Sequence, residues 1–304
     1  MTQQTSMSAR AWAELMLLAL IWGGVFLSVR VALDEIGFVT AVAHRVFWAT
    51  LVLWIVVTAR GLPVPRSPRI WGAFLVMGLL NNVIPFSLMA WGQLHIESGL
   101  TSIFNAATAI FGVIVAAIAF RDERLTARRA LGVTLGFLGV ATAIGLENLA
   151  QFDLRSLAQL AVLGGAFSYA LAGAWAKKNL SGLPPQVAAA GMLTGSAVVM
   201  VPAAFWFDGM PSFDLELRTL AAIAYYALAA TAFAYLLYYR VLAMAGSGNL
   251  MLCTLLIPPV AILLGAWILD ETLPPRAYLG FALLGLGLVI IDGRMFRRRP
   301  PVPT

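Results

Sequence analysis

The chain has 304 residues, of which 61% are hydrophobic and only 11% charged, with a mean hydropathy of +0.88 and a net charge of +6. A soluble domain carries about a quarter charged residues, so this composition cannot cover a water-facing globule and points to lipid as the surrounding medium. One cysteine, Cys253 in an apolar run, excludes an intramolecular disulfide and a cysteine metal cluster and reads as a small buried residue.

Residues 1–10 are short and polar, with a single basic residue, Arg10. The apolar run that follows lacks a small-residue cleavage site, so it reads as a retained first span and not a cleaved signal. Runs of the length needed to cross hydrocarbon, about 20 residues, fall at 12–33, 39–59, 70–91, 99–120 and 127–146. Five more fall at 157–175, 187–207, 220–241, 249–269 and 277–291. None alternates polar with apolar as a barrel strand does, so ten transmembrane helices are predicted. Gly and Pro punctuate the short links, as in Gly61-Leu62-Pro63, Pro184-Pro185 and Pro274-Pro275.

Lys and Arg set the orientation. With the N-terminus inside, fifteen of the 20 basic residues lie in cytoplasmic segments, including Arg121, Arg124, Arg128, Arg129 and the tail Arg294, Arg297, Arg298 and Arg299. Arg155, Arg218 and Arg276, with Arg30 and Arg45 near outer helix ends, make up the rest. Both termini are therefore expected to be cytoplasmic. The +6 charge then reads as positive-inside bias and not as a nucleic-acid surface.

The two halves repeat. Asp122-Glu123-Arg124-Leu125 returns as Asp270-Glu271-Thr272-Leu273, an offset of 148 that continues through Gly132/Gly280, Gly139/Gly287 and Gly145/Gly293. Near the start of each half, Trp22 faces Tyr169 and Arg30 faces Lys177 at an offset of 147. The units are expected at 1–148 and 149–304. Five helices per unit is an odd number, so the copies must insert in opposite directions. The loops agree: four Arg flank the first Asp-Glu pair and Arg276 alone follows the second. The fold class is thus an all-α membrane protein in a 5+5 inverted repeat. That architecture belongs to alternating-access transporters whose site lies near the midplane.

Several segments carry a resemblance to a known family. They are Leu20-Ile21-Trp22-Gly23-Gly24-Val25-Phe26, His44-Arg45, Asn105-Ala106-Ala107-Thr108, and the two Asp-Glu-x-Leu loops, each followed by a glycine-spaced helix. In these the chain resembles the EamA-type branch of the drug/metabolite transporter superfamily, most closely its YddG-type exporters of aromatic and other amino acids. The resemblance covers about 12–294. It implies secondary export of neutral or aromatic amino acids or related metabolites from a bacterial inner membrane. It also implies a central cavity lined by helices one, three, four, six, eight and nine.

Polar residues at mid-depth in lipid mark pathways or helix contacts. Asn81 and Asn82 stand halfway along the third span, with Pro85 freeing a carbonyl one turn earlier. Asn105 and Thr108 share a face of the fourth. Pro258 and Pro259 near the centre of the ninth are expected to break it. Trp22, Tyr169 and Tyr235 lie deep in helices assigned to the cavity, so the expected substrate-binding set is Trp22, Asn81, Asn82, Asn105, Thr108, Tyr169 and Tyr235. Trp91, Trp175 and Tyr239 fit an interfacial belt equally well, and Tyr225 and Tyr226 read as packing or vestibule. His44 and Arg45 read as a helix-end hydrogen bond or outer gate. No Asp or Glu falls at mid-span, which argues for facilitated diffusion or an indirect proton coupling.

No catalytic triad, phosphate loop or metal-spaced His/Asp/Glu set occurs, so no enzyme activity, metal or cofactor is expected. The expected partners are a small-molecule substrate and the bilayer, with the protein a monomer. The alternative is a nucleotide-sugar, sugar-phosphate or drug carrier of the same superfamily. Phosphate would require Lys or Arg in the cavity, and Lys177-Lys178 at the inner end of the sixth span is the one helix-end pair.

Overall fold

The computed structural model describes residues 8–120, 126–144, 154–212, 214–250 and 253–292. Ten helices account for nearly all of them. The first five are α1 (Ala9–Ala32), α2 (Phe38–Ala59), α3 (Pro68–Gly92), α4 (Ser98–Ala119) and α5 (Ala127–Ile144). The second five are α6 (Leu154–Asn179), α7 (Pro185–Phe207), α8 (three consecutive segments, Leu217–Ala224, Tyr225–Phe233 and Ala234–Leu250), α9 (Cys253–Ile268) and α10 (Pro275–Asp292). Among the described residues, seven helices are long and apolar enough to cross a membrane, and α9 and α10 are shorter apolar ones. Apolar side chains remain exposed all round the bundle, among them Ile55, Ile118, Val198, Trp206, Leu263 and Trp267. A bundle that is apolar on its outside as well as its inside is one whose solvent is lipid.

Helix contacts come in pairs that exchange the two halves. α1 packs on α9 and α6 on α4; α3 packs on α6 and α8 on α1; α2 packs on α8 and α7 on α3. Three pairings, α2–α7, α4–α9 and α5–α10, map onto themselves. This is the signature of a pseudo-two-fold axis relating the copies.

The α5–α10 contact proves that the copies run in opposite directions. A Cβ at Gly132 would meet the Gly287 carbonyl at 2.6 Å, and one at Gly139 would meet the Gly280 carbonyl at 2.6 Å. Pairing 132 with 287 and 139 with 280 makes the helices antiparallel. Each glycine faces the repeat mate of the other, so the Gly-spaced segments are one self-complementary interface used twice. Without a hydrophobic drive between helices in lipid, close backbone approach at small residues supplies the adhesion.

Two apolar cores result. One gathers α1, α2, α3, α7, α8 and α9. The other gathers α4, α5, α6 and α10 with the end of α3. Tyr169 packs against both and stands at their seam.

The face expected to be outermost is stitched by carboxylates that cap helix N-termini in other parts of the chain. Glu271 accepts from the Ser98 N–H (2.9 Å), the Ser98 hydroxyl (2.7 Å) and the Gly99 N–H (3.3 Å), closing the start of α4. Asp208 does the same for α2 through the Thr40 N–H and hydroxyl, both at 2.8 Å. Glu35 accepts from the Glu216 N–H before α8. The first N–H groups of a helix have no intrahelical partner and carry partial positive charge, so a carboxylate is stabilising there. The second Asp-Glu-x-Leu loop therefore has a structural job; its copy-one mate Glu123 lies outside the described residues. Glu271→Ala is expected to destabilise the protein by about 1–2 kcal/mol. Glu271→Gln, which keeps one acceptor oxygen, should lose less. Thermal unfolding in detergent and exchange protection of the Ser98 and Gly99 amides check this.

Two expected boundaries change. The eighth helix continues to Leu250, well past 241, and the ninth begins at Cys253. Nor does α9 break at Pro258 and Pro259, which lie inside an uninterrupted helix, the first buried and the second exposed. Both fall in its second turn, so the carbonyls deprived of an i+4 donor are those of Thr254 and Leu255 in the first turn, and the helix survives. Departures from α geometry occur elsewhere: a turn at Ala107 in α4, and π-helical segments at Leu79–Val83 in α3 and Tyr225–Phe233 in α8. The repeat offset of 148 carries 79–83 onto 227–231, inside the second π segment. Pro85 accounts for the first: it has no N–H to donate, and Ile84 instead donates to Leu79, five residues back.

Candidate functional site

The two π segments cross the first helix of the opposite repeat. Trp22 Nε1 of α1 donates to the Ala230 carbonyl in α8 at 3.1 Å, and Tyr225 of α8 donates its hydroxyl to the Ile21 carbonyl at 2.9 Å. The mirror crossing has Ser168 of α6 donating to the Leu80 carbonyl in α3 at 2.7 Å. π geometry loosens carbonyls from their normal partners, and a buried carbonyl in lipid must find a donor. The Trp-Gly-Gly segment of α1 fits this crossing. A Cβ at Gly23 would lie 2.5 Å from Val260 of α9, and one at Gly24 2.4 Å from the Tyr225 hydroxyl.

Beside these crossings lies a polar cluster. Asn81 Nδ2 donates to the Tyr235 hydroxyl at 3.0 Å and approaches Asn82 Oδ1 at 3.3 Å and the Met192 sulfur at 3.4 Å. Tyr235 in turn donates to Asn82 Oδ1 at 3.1 Å. Asn82 Nδ2 donates to the Ser196 hydroxyl at 2.8 Å, and that hydroxyl is also within reach of the Gly78 and Met192 carbonyls. Asn82 is fully buried and its hydrogen bonds are used within the protein, tying α3 to α7 and α8. Asn81, Tyr169 and Tyr235 are half-buried.

Arg45 enters the same cluster from α2. Its Nε donates to the Thr231 hydroxyl at 2.9 Å, and its guanidinium lies 3.6 Å above the centre of the Phe86 ring. Tyr169, Tyr226 and Tyr235 are its electrostatic neighbours. Sequence position placed Arg45 at an outer helix end; its side chain joins the interior. His44 does not. It accepts a 3.1 Å hydrogen bond from Trp48, whose ring is exposed on the bundle's outside.

The cluster thus unites Arg45, Asn81, Asn82, Tyr169 and Tyr235. Trp22 sits at the neighbouring crossing, its ring 5.9 Å from that of Tyr238. Asn105 and Thr108 flank the turn at Ala107 in α4 and are not bonded to the cluster; the Thr108 hydroxyl is buried with no hydrogen-bond partner among the described residues. Pro85 closes the α3 π segment, whereas Pro258 and Pro259 stand apart on α9. Sequence reasoning missed Thr231, Phe86 and Ser196 and read Tyr226 as packing or vestibule. Each is a common residue of an apolar helix, and none carries a mark of its neighbours.

Two hollows adjoin the ends of the helices on the face that carries Asp208 and Glu271. One of about 300 Å³ is lined by Arg30, Asp34, Gln93, His95, Glu97 and Glu271 among others. The other, about 460 Å³, runs between α2, α3 and α7 past Val39, Val83, Met200 and Phe207. Among the described residues no group of three or more His, Cys, Asp or Glu could hold a metal ion.

Comparison with known proteins accords with this architecture. The model of the EamA-like transporter family matches residues 11–145 and again 156–292. The chain is 26% identical over 300 residues to a protein of Streptantibioticus cattleyicolor described as a probable terminal-alkyne amino-acid exporter, covering 98% of each. It is 24% identical over 294 residues to the probable amino-acid metabolite efflux pump of Escherichia coli, covering 93% of this chain and 95% of that one. A solved crystal structure superposes with a TM-score of 0.66 at 16% identity, over 93% of this chain and 97% of the other, which speaks to the fold alone.

Proposed function

The chain belongs to the EamA-like transporter family, and from that premise we propose that it exports a neutral or aromatic amino acid, or a close metabolite, by alternating access. It is a multi-pass membrane transporter and not an enzyme. The observation that carries the proposal is the cluster of Asn81, Tyr169, Tyr235 and Arg45 at the seam of the two cores, beside a π-helical crossing present in each repeat. Amides and hydroxyls offer hydrogen bonds, and the rings of Tyr169 and Trp22 offer apolar faces. Opposed repeats can rock about such a seam. The same reading puts the protein in a bacterial inner membrane with both termini inside, and the repeat boundary at 148/149.

A sugar-phosphate cargo fits less well. A phosphate calls for converging cations, and Arg45 is the single cation among the described residues of the cluster. Lys177 instead lies 4.1 Å from the centre of the Phe120 ring.

Growth of a sensitive bacterial host on a toxic aromatic analogue such as p-fluorophenylalanine tests the proposal. Expression should raise the tolerated concentration, and Trp22→Ala or Asn81→Ala should remove that protection at equal membrane levels. Unchanged sensitivity, with the wild-type protein verified in the membrane, contradicts the export of aromatic amino acids.

A further inference from the structure

Arg45 is a charge inside the bundle without a counterion. Among the described residues no carboxylate approaches it, and its electrostatic neighbours are three tyrosines. A charge in the low-dielectric interior is costly unless paired, and an intramembrane ionisable residue marks a binding or transport site. Five other cations of the described helix ends do find carboxylates: Arg30 pairs with Asp34, Arg155 with Glu97, Arg218 with Asp34, and Arg10 and Arg240 with Glu14. Arg45, at the central cluster, has none among the described residues.

Its geometry leaves it ready for a ligand. The Thr231 hydroxyl donates to the Tyr226 carbonyl five residues back, at 2.7 Å, along the π segment, so its lone pair is free to accept from Arg45 Nε. With Nε committed and Phe86 beneath the plane, the edge bearing Nη1 and Nη2 is left over, and part of the side chain stays accessible. That edge matches a carboxylate in two parallel hydrogen bonds. The Tyr226 hydroxyl is buried with no partner among the described residues. Asn81, which shares Tyr235 with this neighbourhood, uses its Nδ2 within the protein, while its Oδ1 receives no hydrogen bond from the described residues.

We propose that Arg45, held by Thr231 and Phe86, receives a carboxylate of the transported molecule, with the Asn81 amide oxygen as acceptor for its ammonium group. This rests on, and sharpens, the amino-acid reading: the cargo carries its carboxylate and amine toward the seam, and its side chain meets Tyr169. The carboxylate supplies the charge that the protein leaves out. An empty carrier then keeps an unneutralised cation inside, whereas the loaded one does not.

The test uses purified protein in liposomes with two probes alike except at the acid, phenylalanine and phenylalaninamide. Wild type should exchange phenylalanine and discriminate against the amide. Arg45→Gln should lower phenylalanine exchange by at least about 30-fold and abolish the discrimination, and Arg45→Lys should retain part of both, because ammonium keeps the charge but not the two-pronged geometry. Phenylalanine exchange by Arg45→Gln within about threefold of wild type overturns the assignment, as does wild-type exchange of the amide at the rate of the acid. Should Arg45→Gln fail to fold, the Arg45→Lys variant and the wild-type acid-to-amide ratio decide. If wild type moves no amino acid, tryptophan-fluorescence titration with phenylacetate, a carboxylate without an ammonium, separates the two ideas. A response weakened in Arg45→Lys keeps the carboxylate site and removes the amino-acid cargo; no response, or one indifferent to Arg45, removes the site.

Discussion

Gly139→Leu is expected to leave no monodisperse folded protein after detergent extraction. A Cβ at this position would already lie 2.6 Å from the Gly280 carbonyl and 2.6 Å from the Leu284 nitrogen, both backbone atoms that cannot swing aside. Even alanine must push α5 and α10 apart, at about 1–3 kcal/mol; leucine would separate the pair and expose their carbonyls and amides in lipid. Because the interface is self-complementary, Gly280→Leu should fail in the same way. Gly112→Leu is the control, since a Cβ there meets nothing within 4 Å. Size-exclusion profiles and thermal midpoints of the three variants check the prediction. A Gly139→Leu protein as stable as the control would mean that these glycines do not hold the repeats together.

Asn82→Ala should be the most damaging single change in the polar cluster, at about 2–4 kcal/mol. The residue is fully buried, donates to Ser196 and accepts from Asn81 and Tyr235. Its removal strands partners in a medium that offers no replacement, and stranding costs more than a hydrogen bond contributes. Adding Ser196→Ala should recover part of the loss, because one stranded group goes with it. Tyr235→Phe should cost less than Asn82→Ala, since one hydroxyl leaves and the Asn82 oxygen keeps Asn81. Melting temperatures of wild type, the three single variants and the double variant form the test, and simple additivity of Asn82→Ala and Ser196→Ala would contradict the coupling.

Much of the fold was legible in the sequence because lipid imposes a simple code. Apolar length marks the helices, and Gly132, Gly139, Gly280 and Gly287 are visible as a repeat because close packing tolerates little else. Helix ends were less legible. α8 runs to Leu250 since nothing in its sequence stops it, and the two prolines of α9 fall too early to break it. The π segment of α3 was announced by Pro85, but that of α8 has no proline and leaves no mark in its alanine-rich sequence. Of the candidate cluster, Asn81, Tyr169 and Tyr235 could be picked out by depth. Arg45 misled for a physical reason: it is the eighth residue of α2, about 10 Å from the helix start at 1.5 Å per residue. Depth along one helix says nothing of which neighbour the side chain meets. Asn82 misled in the opposite way, since a mid-depth amide suits a helix strut as well as a cavity wall.

Counterflow tests the central claim most directly. Liposomes holding the purified protein are loaded with unlabelled phenylalanine and diluted into trace labelled phenylalanine with no ion gradient. An alternating-access carrier with one site between opposed repeats must accumulate label transiently above equilibrium, because the reorienting loaded form exchanges inside for outside substrate. The expected result is an overshoot absent from protein-free vesicles and from the Arg45→Gln protein. Label that rises to equilibrium without an overshoot would indicate a channel, and no protein-dependent entry of any amino acid tried would remove amino acids as the cargo.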